Sequence, residues 1–173
     1  MENVEVKIRP TQPSDAAQLL QVMRQIGSET DFLIMDENGL SLTEEQLSMQ
    51  LAAFFKSPNN LSLVALVDDE IIGIASVLAE ENPRVAHIGE VGISILKEFW
   101  GMGLGAALME EIILWAESSG IIRRLELTVQ TRNQRALHLY QKFGFIIEGE
   151  IKRSFLTPQN EFIPAYLMAL LID

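Results

Sequence analysis

The chain contains no cysteine. That excludes disulfides, Cys-ligated metal sites and any acyl intermediate carried on a cysteine thiol. Histidine is scarce too. Only His87 and His138 are present, far apart and without ligand-spaced partners, so no zinc site is expected. No apolar run approaches the roughly 20 residues that a membrane span needs. The longest, near Ala165 to Ile172, has the length of a strand. The opening residues Met1-Glu2-Asn3-Val4-Glu5 lack a basic stretch followed by an apolar one. No secretory leader is therefore expected, and the expected compartment is the cytoplasm. Positive charge is in short supply, with 13 Lys and Arg against 24 Asp and Glu, a formal net charge of −11. Such a surface repels nucleic-acid backbones, so DNA or RNA binding is set aside. It would favour a cationic substrate such as an amine, although solubility of a bacterial-type protein is the plainer account.

What is present fits one domain, residues 1–173, long enough to bury a proper core. There are no repeats, low-complexity tracts or linker-like stretches. Val4, Val6 and Ile8 alternate with charged residues as in a first strand, which Pro10 ends. Pro13-Ser14-Asp15 supplies helix-start chemistry, and Ala16, Leu19, Leu20, Met23 and Ile26 follow at helical spacing. Gly27 to Leu40 reads as loop. Thr43 with Gln46 forms a capping box for a second helix, whose face continues through Leu47, Leu51, Phe54 and Phe55. Leu61–Val67 and Ile71–Leu78 flank Asp68-Asp69-Glu70 as a hairpin. Arg84 to Ile95 reads as one long strand after the Pro83 turn. Gly103 to Ser118 is an amphipathic helix, with Leu104, Leu108, Ile112 and Trp115 on one stripe and Gly120 as its stop. Leu125–Val129 is a short strand. Asn133–Phe143 is a helix closed by Gly144. Phe145–Phe155 and Phe162–Leu171 end the chain as strands. The order is β-α-α-β-β-β-α-β-α-β-β, and the strand-helix-strand unit around the third helix implies a parallel pair inside a mixed sheet.

Gly101, Gly103 and Gly105 alternate just before the third helix. Glycine lets backbone approach a bulky anion, and N–H groups at a helix start point toward it. A glycine-rich turn can also serve packing alone. The stretch even fits a dinucleotide fingerprint, Gly-x-Gly-x-x-Ala, with Glu126 at a plausible distance for a ribose contact. Against that, Leu96 to Trp100 separates it from the strand, and it lies past mid-chain. No Gly-Lys-Ser/Thr follows, so it is not a P-loop.

From Glu90 to Phe145 the sequence resembles the core of the GNAT superfamily of N-acetyltransferases. Their cofactor motif is Gln/Arg-x-x-Gly-x-Gly/Ala. Trp100-Gly101-Met102-Gly103-Leu104-Gly105 matches it, with Trp100 in place of Gln or Arg. A second block, Asn-x-x-Ala-x-x-x-Tyr followed by Gly-Phe, is present as Asn133, Ala136, Tyr140, Gly144 and Phe145. The resemblance extends more weakly over nearly the whole chain. It implies an α/β (α+β) fold: a mixed, mostly antiparallel twisted sheet of about seven strands with helices on both faces.

The resemblance also implies acetyl-coenzyme A as co-substrate, with no metal. Its pantetheine arm would pair with the backbone of Ile93 and Ile95, beside Ser94, like an added strand. The backbone from Gly101 to Ala106, including Met102 and Leu104, would hold the pyrophosphate, with Trp100 leaving only main-chain donors. Asn133 would hydrogen-bond the pantetheine, and Asn is equally suited to cap a helix. Ala136 lies on the same face. Arg132, Arg135 and Lys142 gather charge that could reach the ribose phosphate. Tyr140 is the expected general acid for the departing thiolate, since a tyrosine hydroxyl titrates near ~10 and keeps its proton at neutral pH. Glu90 is the candidate base, with Glu29 and His87 as alternatives.

The expected reaction is direct attack of a primary amine, on a small molecule or a protein, within a ternary complex. The alternatives are a non-catalytic acyl-coenzyme A-binding regulatory module and a nucleotide-dependent oxidoreductase. The acceptor pocket is expected from Gly27–Leu40 and Lys152–Phe162, where Asp31, Asp36 and Glu37 could attract a cation. A homodimer is an expectation from similarity only. The sequence names neither the acceptor nor the physiological acyl group.

Overall fold

The computed structural model describes residues 4–173. Met1–Asn3, on which the leader expectation partly rests, lie outside them. Seven strands form one sheet in the order β1-β2-β3-β4-β5-β7-β6. The strands are β1 (Val6–Pro10), β2 (Leu61–Val67), β3 (Glu70–Leu78), β4 (Ile88–Ile95), β5 (Arg124–Gln130), β6 (Ile146–Leu156) and β7 (Phe162–Leu171). The helices are α1 (Ala16–Glu29), α2 (Glu44–Lys56), α3 (Leu104–Ser119) and α4 (Gln134–Lys142). Every strand pair is antiparallel except β4 with β5, joined through the α3 crossover. This is the mixed, mostly antiparallel sheet of seven strands that the resemblance implies, with the parallel pair that the element order implies. No described helix is long and apolar enough to cross a membrane.

Local chemistry accounts for the element boundaries. The Asp15 carboxylate accepts from the Gln12 N–H at 2.7 Å and from both terminal nitrogens of Arg9 at 2.8 Å. That pairing locks the entry to α1 against the end of β1. At α2, Thr43 Oγ1 accepts from the Gln46 N–H at 3.1 Å, and Gln46 Oε1 accepts from the Thr43 N–H at 2.9 Å. The capping box therefore satisfies two donors that the helix leaves unpaired. Asp68 and Asp69 take φ of 49° and 64° between β2 and β3. Two successive left-handed residues match the twist of a tight hairpin.

The core lies between the sheet and its helices. α3 contributes Leu104, Leu108, Met109, Ile112 and Ala116, all buried, against Ala65, Val77, Leu125 and Leu127 of the strands. Gly89 permits a close approach here, because a β-carbon on it would crowd Val77, Leu125 and Ile122.

Three sequence expectations shift. β4 starts at Ile88, not Arg84. Asn82 and Pro83 open a turn in which the Asn82 carbonyl accepts from the N–H groups of Val85 and Ala86. The buried side-chain amide of Asn59 holds that turn by donating to the carbonyls of Glu80 and Ala86, both at 3.0 Å. Second, Gly27 lies inside α1 rather than opening a loop, for a reason of packing taken up below. Third, Phe55 is 77% exposed, so the apolar face of α2 ends earlier than its sequence pattern suggests.

Candidate active site

The site begins where the sheet splits. β4 and β5 pair at only three positions, the last being Glu90 opposite Glu126. Beyond that point the two strands diverge. The N–H of Leu96 donates to the Ile72 carbonyl at 2.9 Å, in register with Gly73 opposite Ile95. Antiparallel pairing alternates, so Gly92, Ser94 and Leu96 direct their peptide groups to β3. Val91, Ile93 and Ile95 direct theirs the other way, toward the gap. The fold thus contains an unpaired strand edge inside its own sheet. One acceptor on that edge is already used: the Trp100 indole Nε1–H donates to the Ile95 carbonyl at 2.8 Å.

A cavity of about 310 Å³ occupies this gap. Ile93, Ser94 and Ile95 form its β4 wall. Trp100, Gly101, Gly103, Leu104, Gly105 and Ala106 form one end. Asn133, Arg135, Ala136, Leu139 and Tyr140 line it from α4. Ile26, Thr30, Phe32 and Leu33 close the side toward α1.

The glycine turn has left-handed backbone at Gly101 (φ 79°) and Gly103 (φ 81°), where any other residue would be strained. Gly103 caps α3, and its carbonyl accepts the first helical hydrogen bond, from Ala107 at 3.1 Å. The N–H groups of Leu104, Gly105 and Ala106 precede that bond, so the helix has no acceptor for them. They carry the positive end of the α3 dipole to the cavity end. Gly105 has a different use. A β-carbon there would sit 3.0 Å from Leu139, so glycine lets α3 and α4 approach each other.

On α4, Asn133 caps the helix, its Oδ1 accepting from the Ala136 N–H at 3.3 Å. Tyr140 is half-buried, with its ring centroid 5.8 Å from that of Phe145. Among the described residues its hydroxyl has no hydrogen-bond partner. Desolvation in these apolar surroundings pushes its pKa up to about 12. The hydroxyl therefore keeps its proton across the physiological range.

Not every candidate converges on the cavity. Met102 is half exposed and Lys142 exposed, and neither lines it. Glu90 is exposed at the point of divergence, on the face that also carries Gly92 and Ser94, and does not line it either. Its neighbour Glu126 is held by Arg124 at 2.7 Å. Of the alternative bases, Glu29 is committed to structure, its Oε2 accepting from the Lys97 N–H at 2.7 Å. His87 lies at the far end of β4, where its carbonyl accepts from the N–H groups of Arg123 and Arg124. Among the described residues there is no cluster of three or more acidic, His or Cys side chains that could hold a metal.

Sequence reading missed the clasp that holds the outer wall. Gln130 is 1% exposed, and its amide donates to the Asp31 carbonyl at 2.9 Å. Its oxygen accepts from Arg132 Nε at 2.7 Å, while Arg132 Nη2 meets Asp31 Oδ2 at 2.9 Å. The same guanidinium lies 5.3 Å from the centre of the Phe32 ring. Alternation puts Gln130 on the strand face of Arg124, Glu126 and Thr128, so its residue pattern gives no sign that it is buried.

Comparison with known proteins agrees with this geometry. The sequence model of the acetyltransferase (GNAT) family matches residues 28–145. The L-amino acid N-acetyltransferase AaaT of Escherichia coli (strain K12) is 34% identical over 112 residues, 65% of this chain and 68% of that protein. Two further relatives, from Bacillus licheniformis and Mycobacterium bovis, are spanned over 62% and 63% of their lengths. Among solved structures, an acetyltransferase of the GNAT family from Streptococcus pneumoniae is 46% identical with a TM-score of 0.95, covering 97% of this chain and 100% of that one. The protein yncA of Salmonella typhimurium, solved with acetyl-CoA, shares the fold at 16% identity, with a TM-score of 0.84 and coverage of 97% and 94%. The family model covers more than half of the chain, and the chain belongs to the acetyltransferase (GNAT) family.

Proposed function

We propose that the protein transfers an acetyl group from acetyl-coenzyme A to a primary amine by direct attack within a ternary complex. The observation that carries this reading is the coincidence, in one cavity, of three features: the unpaired edge at Ile93 and Ile95, the open N–H groups at the start of α3, and the protonated Tyr140. The site fits a long amide-bearing anion. The Ile93 peptide and the Ile95 N–H pair with the amides of an extended arm, as an added strand would. The Ile95 carbonyl, already bonded to Trp100, contributes less than the sequence suggests. The N–H groups from Leu104 to Ala106 hold the pyrophosphate. The side-chain NH₂ of Asn133, free of the capping bond, donates to the arm.

The thioester supplies an activated acyl carbon. The chain's residues supply orientation and protons. The amine must arrive neutral, which needs an acceptor for its proton. We assign that role to Glu90 acting through water, because it stands exposed where β4 and β5 diverge, outside the cavity. Tyr140 donates its proton to the sulfur as the C–S bond breaks. The amine belongs to a small molecule or a protein. The kinship with AaaT makes L-amino acids the first acceptors to test.

The test is release of free coenzyme A thiol from acetyl-coenzyme A in the presence of amino acids, polyamines, aminoglycosides and peptides. Acetylation of at least one class is expected. Binding of acetyl-coenzyme A with no turnover of any amine would overturn the transfer reading.

A further inference from the structure

The first position of the phosphate turn carries no polar side chain that can reach outward. Trp100 stands there, and its one donor is spent on Ile95. Its ring faces remain. The Arg135 guanidinium lies 4.8 Å from the ring centroid, and Lys97 Nζ lies 6.0 Å from it. Both distances suit a cation resting on an aromatic face. Arg135 lines the cavity beside the glycine turn. Acidic residues outnumber basic ones 24 to 13, yet among the described residues neither Arg135 nor Lys97 forms an ion pair.

Arg135 is also electrostatically misplaced for a purely structural role. It sits in the first turn of α4, which holds no acidic residue. A cation at a helix N-terminus opposes the helix dipole. Stacking occupies the flat face of the guanidinium and leaves its N–H edges free. That planar fork is shaped for phosphate oxygens. An anion placed between Arg135 and the start of α3 would answer both the opposed dipole and the unpaired fork.

We propose that Arg135, steadied on the Trp100 ring, is the phosphate-binding side chain of this enzyme, delivering from α4 the contact that the turn itself has lost. This rests on the proposed use of acetyl-coenzyme A. The ligand chemistry is a phosphate group, either the pyrophosphate or the ribose 3′-phosphate of the donor.

The experiment measures dissociation constants by calorimetry, or by competition where binding is weak. The ligands are acetyl-coenzyme A, its 3′-dephospho form and acetyl-pantetheine. The proteins are the wild type, Arg135→Ala, Arg135→Lys and Trp100→Leu, each checked for folding by circular dichroism. Arg135→Ala is expected to weaken acetyl-coenzyme A binding about tenfold or more, the size of a lost charge-assisted hydrogen bond. Arg135→Lys should recover part of the loss. Trp100→Leu should weaken binding less than Arg135→Ala, because the charge remains without its platform.

If the penalty of Arg135→Ala vanishes with the 3′-dephospho form, the ribose phosphate is the partner. If it persists there and vanishes with acetyl-pantetheine, the pyrophosphate is. An equal loss for all three ligands, or no loss for acetyl-coenzyme A, overturns the assignment and leaves the transfer reading intact. A wild type that binds none of the three overturns both.

Discussion

The carbonyl oxygen of Asp36 occupies the space that a β-carbon on Gly27 would need. A helix residue and the loop that follows α1 are thereby pressed together at main-chain distance, a packing only glycine permits. Gly27 lies one residue from Ile26, which lines the cavity, and the same loop carries Phe32 and Leu33 to its outer wall. Gly27→Ala is expected to destabilise the fold by about 1–3 kcal/mol, the usual size of an overpacking strain. It should also raise the KM for the acyl donor. Thermal unfolding and steady-state kinetics check the two effects.

Tyr140→Phe is expected to lower kcat by about a hundredfold or more, the lower end of general-acid contributions. Donor affinity should stay near the wild-type value. Unchanged turnover, with chemistry shown to limit the rate, would remove the acid role.

The same residue makes a pH prediction. Its pKa is raised by desolvation to about 12, above the ordinary value of 10.0. Burial thus favours the neutral form, and the stability that depends on it is complete below pH ~10 and is lost as pH rises through ~12. Of the two tyrosines, Tyr140 and Tyr166, only one high-pH tyrosinate absorbance step should disappear in Tyr140→Phe.

Asp15 carries the opposite sign. The Arg9 hydrogen bonds hold its carboxyl below the usual range. The stability contributed by the pair is present above the ordinary carboxylate pKa and lost as pH falls through the lowered one. Asp15→Asn should cost about 2 kcal/mol at neutral pH, in keeping with hydrogen bonds to charged groups. It should also flatten the acid limb of a stability–pH curve measured by urea unfolding.

Gln130→Met keeps the volume but removes both bonds of the clasp, leaving the Asp31 carbonyl short of its buried donor. A loss of about 1–3 kcal/mol is expected, together with faster amide hydrogen exchange over residues 31–33. Exchange as slow as in the wild type would mean that the wall is held by packing alone.

Most elements of the fold were legible because their signals are local. Period-two alternation marked β1 and β5, the Thr43–Gln46 box marked α2, and Gly120 and Gly144 closed two helices where they stand. The misplaced boundaries depend on partners distant in sequence. Arg84–His87 has strand-compatible residues, but it lies in the turn that the buried Asn59 side chain holds through the Ala86 carbonyl. Gly27 looks like a loop opener until Asp36 is seen against it. In the site, the glycine turn and α4 were readable as motifs. The wall at Thr30–Leu33 was legible only as part of the broad Gly27–Leu40 stretch, because the bonds that fix it come from Gln130 and Arg132 about 100 residues away. The orientation of the Trp100 ring likewise depends on a main-chain carbonyl, which no residue pattern records.

The gap between β4 and β5 has a further consequence. An unpaired strand edge is a template for any passing extended chain, and proteins guard such edges at their outer rims. This one is interior. Its free stretch runs only from Val91 to Ile95, the indole of Trp100 closes one carbonyl at its end, and α4 and the Phe32 loop stand on either side. A peptide with a side chain on every residue meets those walls, whereas an amide chain that carries fewer branches has less to fit between them. On the proposed use of acetyl-coenzyme A, the guard against self-association and the filter for the donor would be one arrangement, and widening the gap to admit bulkier acyl carriers would expose the sheet to its neighbours.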